Sequence, residues 1–233
     1  MAFLQPAAPR QPIFRAPAVV MVLIGFLAVA HLARILLPLA AQDEWIDRFA
    51  FTPAHLTAGW IAVHGWGAAL VPFLSHMAIH NDWTHFAINA LWLLAFGPIV
   101  ARRLGPLRFL VFFLLCGIAG AATHWLFNLG SPLPVIGASG AISGLMAAGL
   151  RLLPTLRPQS GTPDLLPILS RQFLLFSLVW MGINILVGVT GLGLMGESGL
   201  IAWQAHLGGF IAGMLLAGPF ARIKPQPVDA GLD

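Results

Sequence analysis

Charge is scarce in this chain of 233 residues: 9% are Asp, Glu, Lys or Arg, and tyrosine is absent altogether. A soluble domain covers its surface with roughly a quarter charged residues, so a water-facing globule is excluded. The single cysteine, Cys116, rules out an internal disulfide and any cysteine-built zinc site. It lies in the apolar run 109–118 and reads as a packing residue. No HExxH helix occurs, which removes the usual metalloprotease signature. What fills the space is apolar: 58% of residues are hydrophobic and the mean hydropathy is +0.87. The expected fold class is an all-α polytopic membrane protein.

Six stretches approach the roughly 20 apolar residues that a bilayer crossing requires: 17–39, 82–101, 107–128, 137–153, 171–190 and 203–220. The fourth is short and rich in glycine and alanine. The run after Arg15 is too long for a signal-peptide core and reads as a retained first span. If both termini are cytoplasmic, ten of the twelve Lys and Arg residues fall on one side, with Arg34 and Arg48 as exceptions, so the positive charge predicts that orientation. The excess of bases therefore reports topology rather than nucleic-acid binding. Three parts follow: a cytoplasmic tail over 1–16, a six-helix domain over 17–220, and a second cytoplasmic tail over 221–233. Residues 41–81, with Trp45, Phe49, Phe51, Trp60, Trp66 and Phe73 among few charges, read as an interfacial external loop. The Pro-rich 154–170 link reads as a cytoplasmic turn, and 188–199 as a flexible outer loop.

Ionisable and polar groups inside spans are costly and call for a partner or a purpose. Span two opens with His80, His85 and Asn89, span four with Ser139, and span six with His206. In the orientation set by the basic residues these three spans run the same way, from outside to inside, so all of these groups share one layer near the outer face. Serine is a weak nucleophile until a neutral imidazole can take its proton, and Ser139 with His206 is the smallest acyl-transfer unit available. No Asp or Glu lies within spans four to six to complete a triad, so a Ser-His dyad is expected. His85 and Asn89 are four residues apart and share a helix face; with the backbone N–H of Ser139 at a helix N-terminus they could supply an oxyanion hole. Gly209 and Gly213 would let span six approach span four at Gly140 and Gly144.

Each of these features has an ordinary explanation when taken singly. Small residues at spacing four are packing motifs in membrane helices. A single His is commonly a packing residue, and a His-Asn contact between helices contributes only about 0.6–2 kcal/mol. The functional reading rests on their concurrence at matched depth in three parallel spans. His31, with Arg34 one turn on, reads as the outer end of span one, and His55, His64, His76 and His124 as interface or packing residues.

These residues resemble the rhomboid family of intramembrane serine proteases over about 65–220: His80-x4-His85-x3-Asn89, Gly137-Ala138-Ser139-Gly140, and Ala205-His206 followed by Gly209-xxx-Gly213. The resemblance implies a six-transmembrane-helix rhomboid-like bundle in which water reaches the dyad from the outer face. It also implies that Ser139 is the nucleophile, His206 the base, and His85, Asn89 and the Ser139 N–H the oxyanion donors. His80 would be a structural hydrogen-bonding residue, with Gly137, Gly140, Gly209 and Gly213 as structural support. The implied substrates are transmembrane proteins, cleaved within or beside their spans, and the implied setting is membrane lipid, with a bacterial inner membrane as the expected location. No cofactor, metal or nucleic acid is implied. Two positions depart from the family pattern: Val71-Pro72 stands where many members carry Trp-Arg, and Ser143 where many place an aromatic ring four residues after the nucleophile. A catalytically silent rhomboid-like protein binding membrane helices is the alternative, and it would have lost the nucleophile or the base. A transporter would favour inverted repeats or broken helices with paired charges, and none is apparent.

Overall fold

The computed structural model describes residues 16–153, 165–190 and 202–222. Among them the chain is all-helical. The α-helices are α1 (Ala18–Ile35), α2 (Leu39–Phe49), α3 (Ala58–Leu70), α4 (Pro72–Ser75), α5 (Trp83–Leu104), α6 (Pro106–Phe127), α7 (Ser139–Leu152), α8 (Arg171–Thr190) and α9 (Trp203–Arg222), with 3₁₀ turns at Pro53–Leu56 and His76–Ala78. The expectations for the N-terminal tail over 1–15, for 154–164, for 191–199 and for the tail beyond 222 lie outside the described residues.

Four helices, α1, α5, α6 and α8, are long and apolar enough to cross a membrane; α3 and the segment Pro72–Ala78, which joins α4 to the 3₁₀ turn after it, are bent by 44° and pass the same test as a pair. The chain is a multi-pass integral membrane protein. The count differs from the expected six because α7 and α9 do not qualify on length and apolarity. At 14 residues, α7 is about 21 Å long against a hydrocarbon core of about 30 Å. The first turn of α9 carries Gln204 and His206, which lowers its apolarity. Protein rather than lipid surrounds α7: every residue from Gly140 to Leu150 is buried, as is Leu152.

Backbone proximity makes that enclosure possible. A Cβ added at Gly209 would collide with the carbonyl of Gly140, and one added at Gly213 would collide with that of Gly144. Two helices that meet without side chains gain close van der Waals contact, the main attraction available where lipid removes the hydrophobic drive. On the opposite side Leu93 and Val100 of α5 join Ala141, Leu145, Ala148 and Leu152 of α7 in one core cluster.

The 41–81 region is more ordered than a loop lying in the interface. It contains α2, α3 and α4, and it has buried groups of its own: Phe51 is buried and its ring meets Phe73 at 4.6 Å. Trp66 does remain exposed. The region also pins the approach to α7. Phe51 and Val135 exchange both backbone hydrogen bonds in an isolated antiparallel bridge, and the Gly137 N–H donates to the His76 carbonyl at 2.9 Å. Arg34 at the end of α1 completes the clamp, donating to the carbonyls of His80 (2.9 Å) and Asn81 (2.6 Å) and to Gln42 Oε1 (3.3 Å). Its position outside the charge pattern is thus a structural requirement: the guanidinium satisfies carbonyls that no helix reaches.

Candidate active site

Ser139 is the first residue of α7. Helix geometry leaves its N–H without an intrahelical acceptor, and the helix dipole favours negative charge at this end. Immediately before it, Gly137 has φ 108°, a left-handed conformation that side chains oppose. A Cβ there would also stand 2.7 Å from His85 Nε2. Glycine therefore lets the chain turn into α7 while the His85 ring comes up against the turn.

His206 stands one turn into α9, buried, and its Nε2 lies 2.7 Å from Ser139 Oγ. Its other ring nitrogen, Nδ1, is hydrogen-bonded to Asn184 Oδ1 of α8. Asn184 is buried and its own Nδ2 donates to the Trp180 carbonyl at 2.7 Å. Asn184 is not among the polar residues that open a span in the sequence. The signal for it was nonetheless present: an amide in the later half of an apolar span that runs opposite to α5, α7 and α9, and so at the depth of their first turns.

On α5, Asp82 caps the helix by accepting from the His85 N–H at 2.8 Å, which holds its carboxyl below the usual carboxylate range. His85 Nδ1 lies 3.4 Å from the Asn81 N–H; accepting there leaves Nε2 as the protonated, donating nitrogen, directed toward Gly137. Asn89 Nδ2 donates one hydrogen to the His85 carbonyl at 2.9 Å and retains a second. His85, Asn89, Ser139, Ser143, Asn184 and His206 all line one cavity of about 650 Å³, closed further by Trp92, Trp180 and Met146.

His80 is not among the lining residues. Its ring is buried edge-on against His31 (6.3 Å), His85 (5.2 Å) and Phe86 (5.6 Å), and neither ring nitrogen is hydrogen-bonded among the described residues. Its backbone carbonyl, by contrast, accepts a hydrogen bond from Arg34. Burial, with His85 and His31 alongside, lowers its pKa to about 3. His76 is buried and its Nδ1 donates to the Pro72 carbonyl at 2.7 Å, and His124, also buried, lines the cavity, while His55 and His64 stack on either side of Trp60 at 4.2 Å each.

The sequence model described as Rhomboid domain matches residues 67–223. Among curated proteins, the rhomboid protease GluP of Bacillus subtilis is 40% identical over 88 residues, covering 38% of this chain and 16% of that protein. The rhomboid protease AarA of Providencia stuartii is 30% identical over 156 residues, 60% of this chain and 52% of its own. An uncharacterised protein of Mycobacterium leprae is 31% identical over 156 residues, 65% of this chain and 55% of that one. The matched stretches thus span about half the length of two of these relatives and about a sixth of the other.

Proposed function

The chain belongs to the rhomboid family, and on that premise we propose that it is an intramembrane serine endopeptidase cleaving peptide bonds in or next to the spans of other membrane proteins. The observation that carries the reading is the 2.7 Å contact between Ser139 Oγ and His206 Nε2 at the wall of a cavity. Ser139 Oγ attacks the scissile carbonyl while His206 Nε2 takes the hydroxyl proton. The tetrahedral oxyanion is received by the Ser139 N–H, the Nε2–H of His85 and the spare amide hydrogen of Asn89. Collapse breaks the C–N bond, and His206 returns its proton to the leaving amine. Water then enters and attacks the acyl carbon as His206 takes its proton; the ester bond to Ser139 breaks, and His206 returns the proton to Ser139 Oγ.

The bundle we infer has six crossings over 17–220, with α7 and α9 buried among the longer helices, and both tails cytoplasmic. The cavity then opens toward the outer face of a bacterial inner membrane. A substrate backbone in an intact helix is shielded, so the segment to be cut must unwind locally, and small or helix-weakening residues near the scissile bond favour that.

The test is covalent labelling of the purified full chain in detergent by a serine-directed fluorophosphonate, beside cleavage of a transmembrane peptide. Ser139→Ala and His206→Ala should each lose both activities. Cleavage by Ser139→Ala at the wild-type rate would sink the assignment.

A further inference from the structure

We propose that Asn184 is the positioning residue for His206, making a neutral Ser139-His206-Asn184 triad. The inference rests on the dyad reading above and supplies what that reading lacks, a group that holds the imidazole.

The hydrogen-bond network assigns each atom. Asn184 Nδ2 donates to the Trp180 carbonyl at 2.7 Å; turning the amide over would set two oxygens against each other. Oδ1 must therefore face His206, where it can only accept, so Nδ1 of His206 carries the proton. The unprotonated nitrogen is then Nε2, the one that meets Ser139 Oγ. One amide on α8 thus selects the tautomer in which His206 can act as a base toward Ser139. Among the described residues no carboxylate is hydrogen-bonded to His206, and Ser143, buried one turn below Ser139, offers no ring for it to stack on. An amide also suits the setting. A carboxylate would bring a charge into a bundle where charge is expensive, whereas an amide oxygen fixes the ring at little cost. When His206 gains the Ser139 proton, Oδ1 keeps its bond to the imidazolium, though it adds no countercharge.

The experiment uses the purified full chain in detergent with a fluorogenic transmembrane peptide, measuring kcat, KM and the pH profile of kcat for Asn184→Ala, Asn184→Asp and Ser139→Ala. Asn184→Ala should lower kcat by about ten- to a hundredfold with KM nearly unchanged. That is less than the ~10⁴ seen when a triad is forced into the wrong tautomer, because alanine leaves both tautomers open. Asn184→Asp should restore much of kcat and move the acid limb upward by about one pH unit, since a carboxylate favours the imidazolium. The aspartate variant carries the test alone if the alanine variant does not fold. Wild-type kcat in Asn184→Ala, or an acid limb unmoved in Asn184→Asp, overturns the role of Asn184 while an inactive Ser139→Ala leaves the dyad standing. Activity in Ser139→Ala overturns the dyad itself.

Discussion

Gly209 of α9 and Gly140 of α7 meet backbone to backbone, with no room for a Cβ at Gly209. Gly140 follows Ser139 directly, and Gly209 is three residues beyond His206, so this contact sets how far the hydroxyl stands from the imidazole. Packing and chemistry are coupled here through one interhelical distance.

Replacing Gly209 by alanine should therefore cost both stability and activity. The neighbour is a backbone carbonyl, which cannot rotate away, so α7 and α9 must separate. We expect a loss of about 1–3 kcal/mol, the usual range for overpacking, and a slower reaction of Ser139 with fluorophosphonate. Gly182→Ala on α8 is the control, because nothing lies within 4 Å of the added carbon. Thermal unfolding in detergent should lower the midpoint for Gly209→Ala and leave it unchanged for Gly182→Ala; equal midpoints would contradict the account.

Asn89→Ala should reduce kcat by about 10²–10³, the range for loss of one oxyanion donor, with little change in KM. The amide hydrogen that bonds the His85 carbonyl is replaceable by water, whereas in the proposed mechanism the spare one acts only once negative charge develops. An equal rise in KM with kcat preserved would make Asn89 a ground-state binding group instead.

The juxtaposition of His85, Ser139 and His206 was legible in the sequence because each opens a span and, in the orientation that the basic residues predict, the three share one layer. The closeness of α7 to α9 was legible from glycine spacing. The enclosure of α7 by protein was not, because hydropathy measures fitness for lipid and is silent on what surrounds a helix. Nor was Arg34, whose partners are the carbonyls of His80 and Asn81 some 46 and 47 residues away. Asn184 was hidden because it opens no span: α8 runs antiparallel and presents its later half to the layer where α5, α7 and α9 begin. The 41–81 region hid its order because α2, α3 and α4 are short, and bonds such as that of Arg34 to Gln42 and that of the Ser75 hydroxyl to the Phe49 carbonyl help to fix it.

Protonation of His80 should destabilise the fold at mildly acidic pH. Its folded pKa of about 3 lies below the ordinary 6.5, because burial opposes the charge and His85, His31 and Arg34 face it with positive or protonatable groups. Between these two values the unfolded chain binds the proton more tightly, so this contribution is complete above about pH 6.5 and is lost as the pH falls toward 3. Asp82 gives a loss of the same sign at lower pH, as its capping carboxylate protonates. Unfolding midpoints in detergent, taken across pH 4–7, should fall with acid in the wild type and fall less in His80→Phe. Parallel curves would show that His80 contributes nothing to the slope.

The last expectation concerns how a substrate enters. Trp92 of α5 and Trp180 of α8 meet edge to face with ring centroids 5.7 Å apart, closing one side of the cavity. Of the helices long enough to span, α8 is the least enclosed by protein, and Leu178, Val179, Ile183 and Leu186 are all exposed along it. A polypeptide helix is about 10 Å across with its side chains, so it cannot pass between touching rings, and even an unwound strand needs them parted. The weakly held helix is the one that can yield. Joining the two positions through Trp92→Cys and Trp180→Cys with a short thiol cross-linker should therefore suppress cleavage of a transmembrane substrate. Labelling of Ser139 by a small fluorophosphonate should persist, since that reagent needs only the cavity mouth. The native Cys116 is fully buried against α7 and will not compete for the reagent. Full cleavage by the cross-linked protein would mean that substrate reaches Ser139 by a route that leaves the Trp92–Trp180 contact closed.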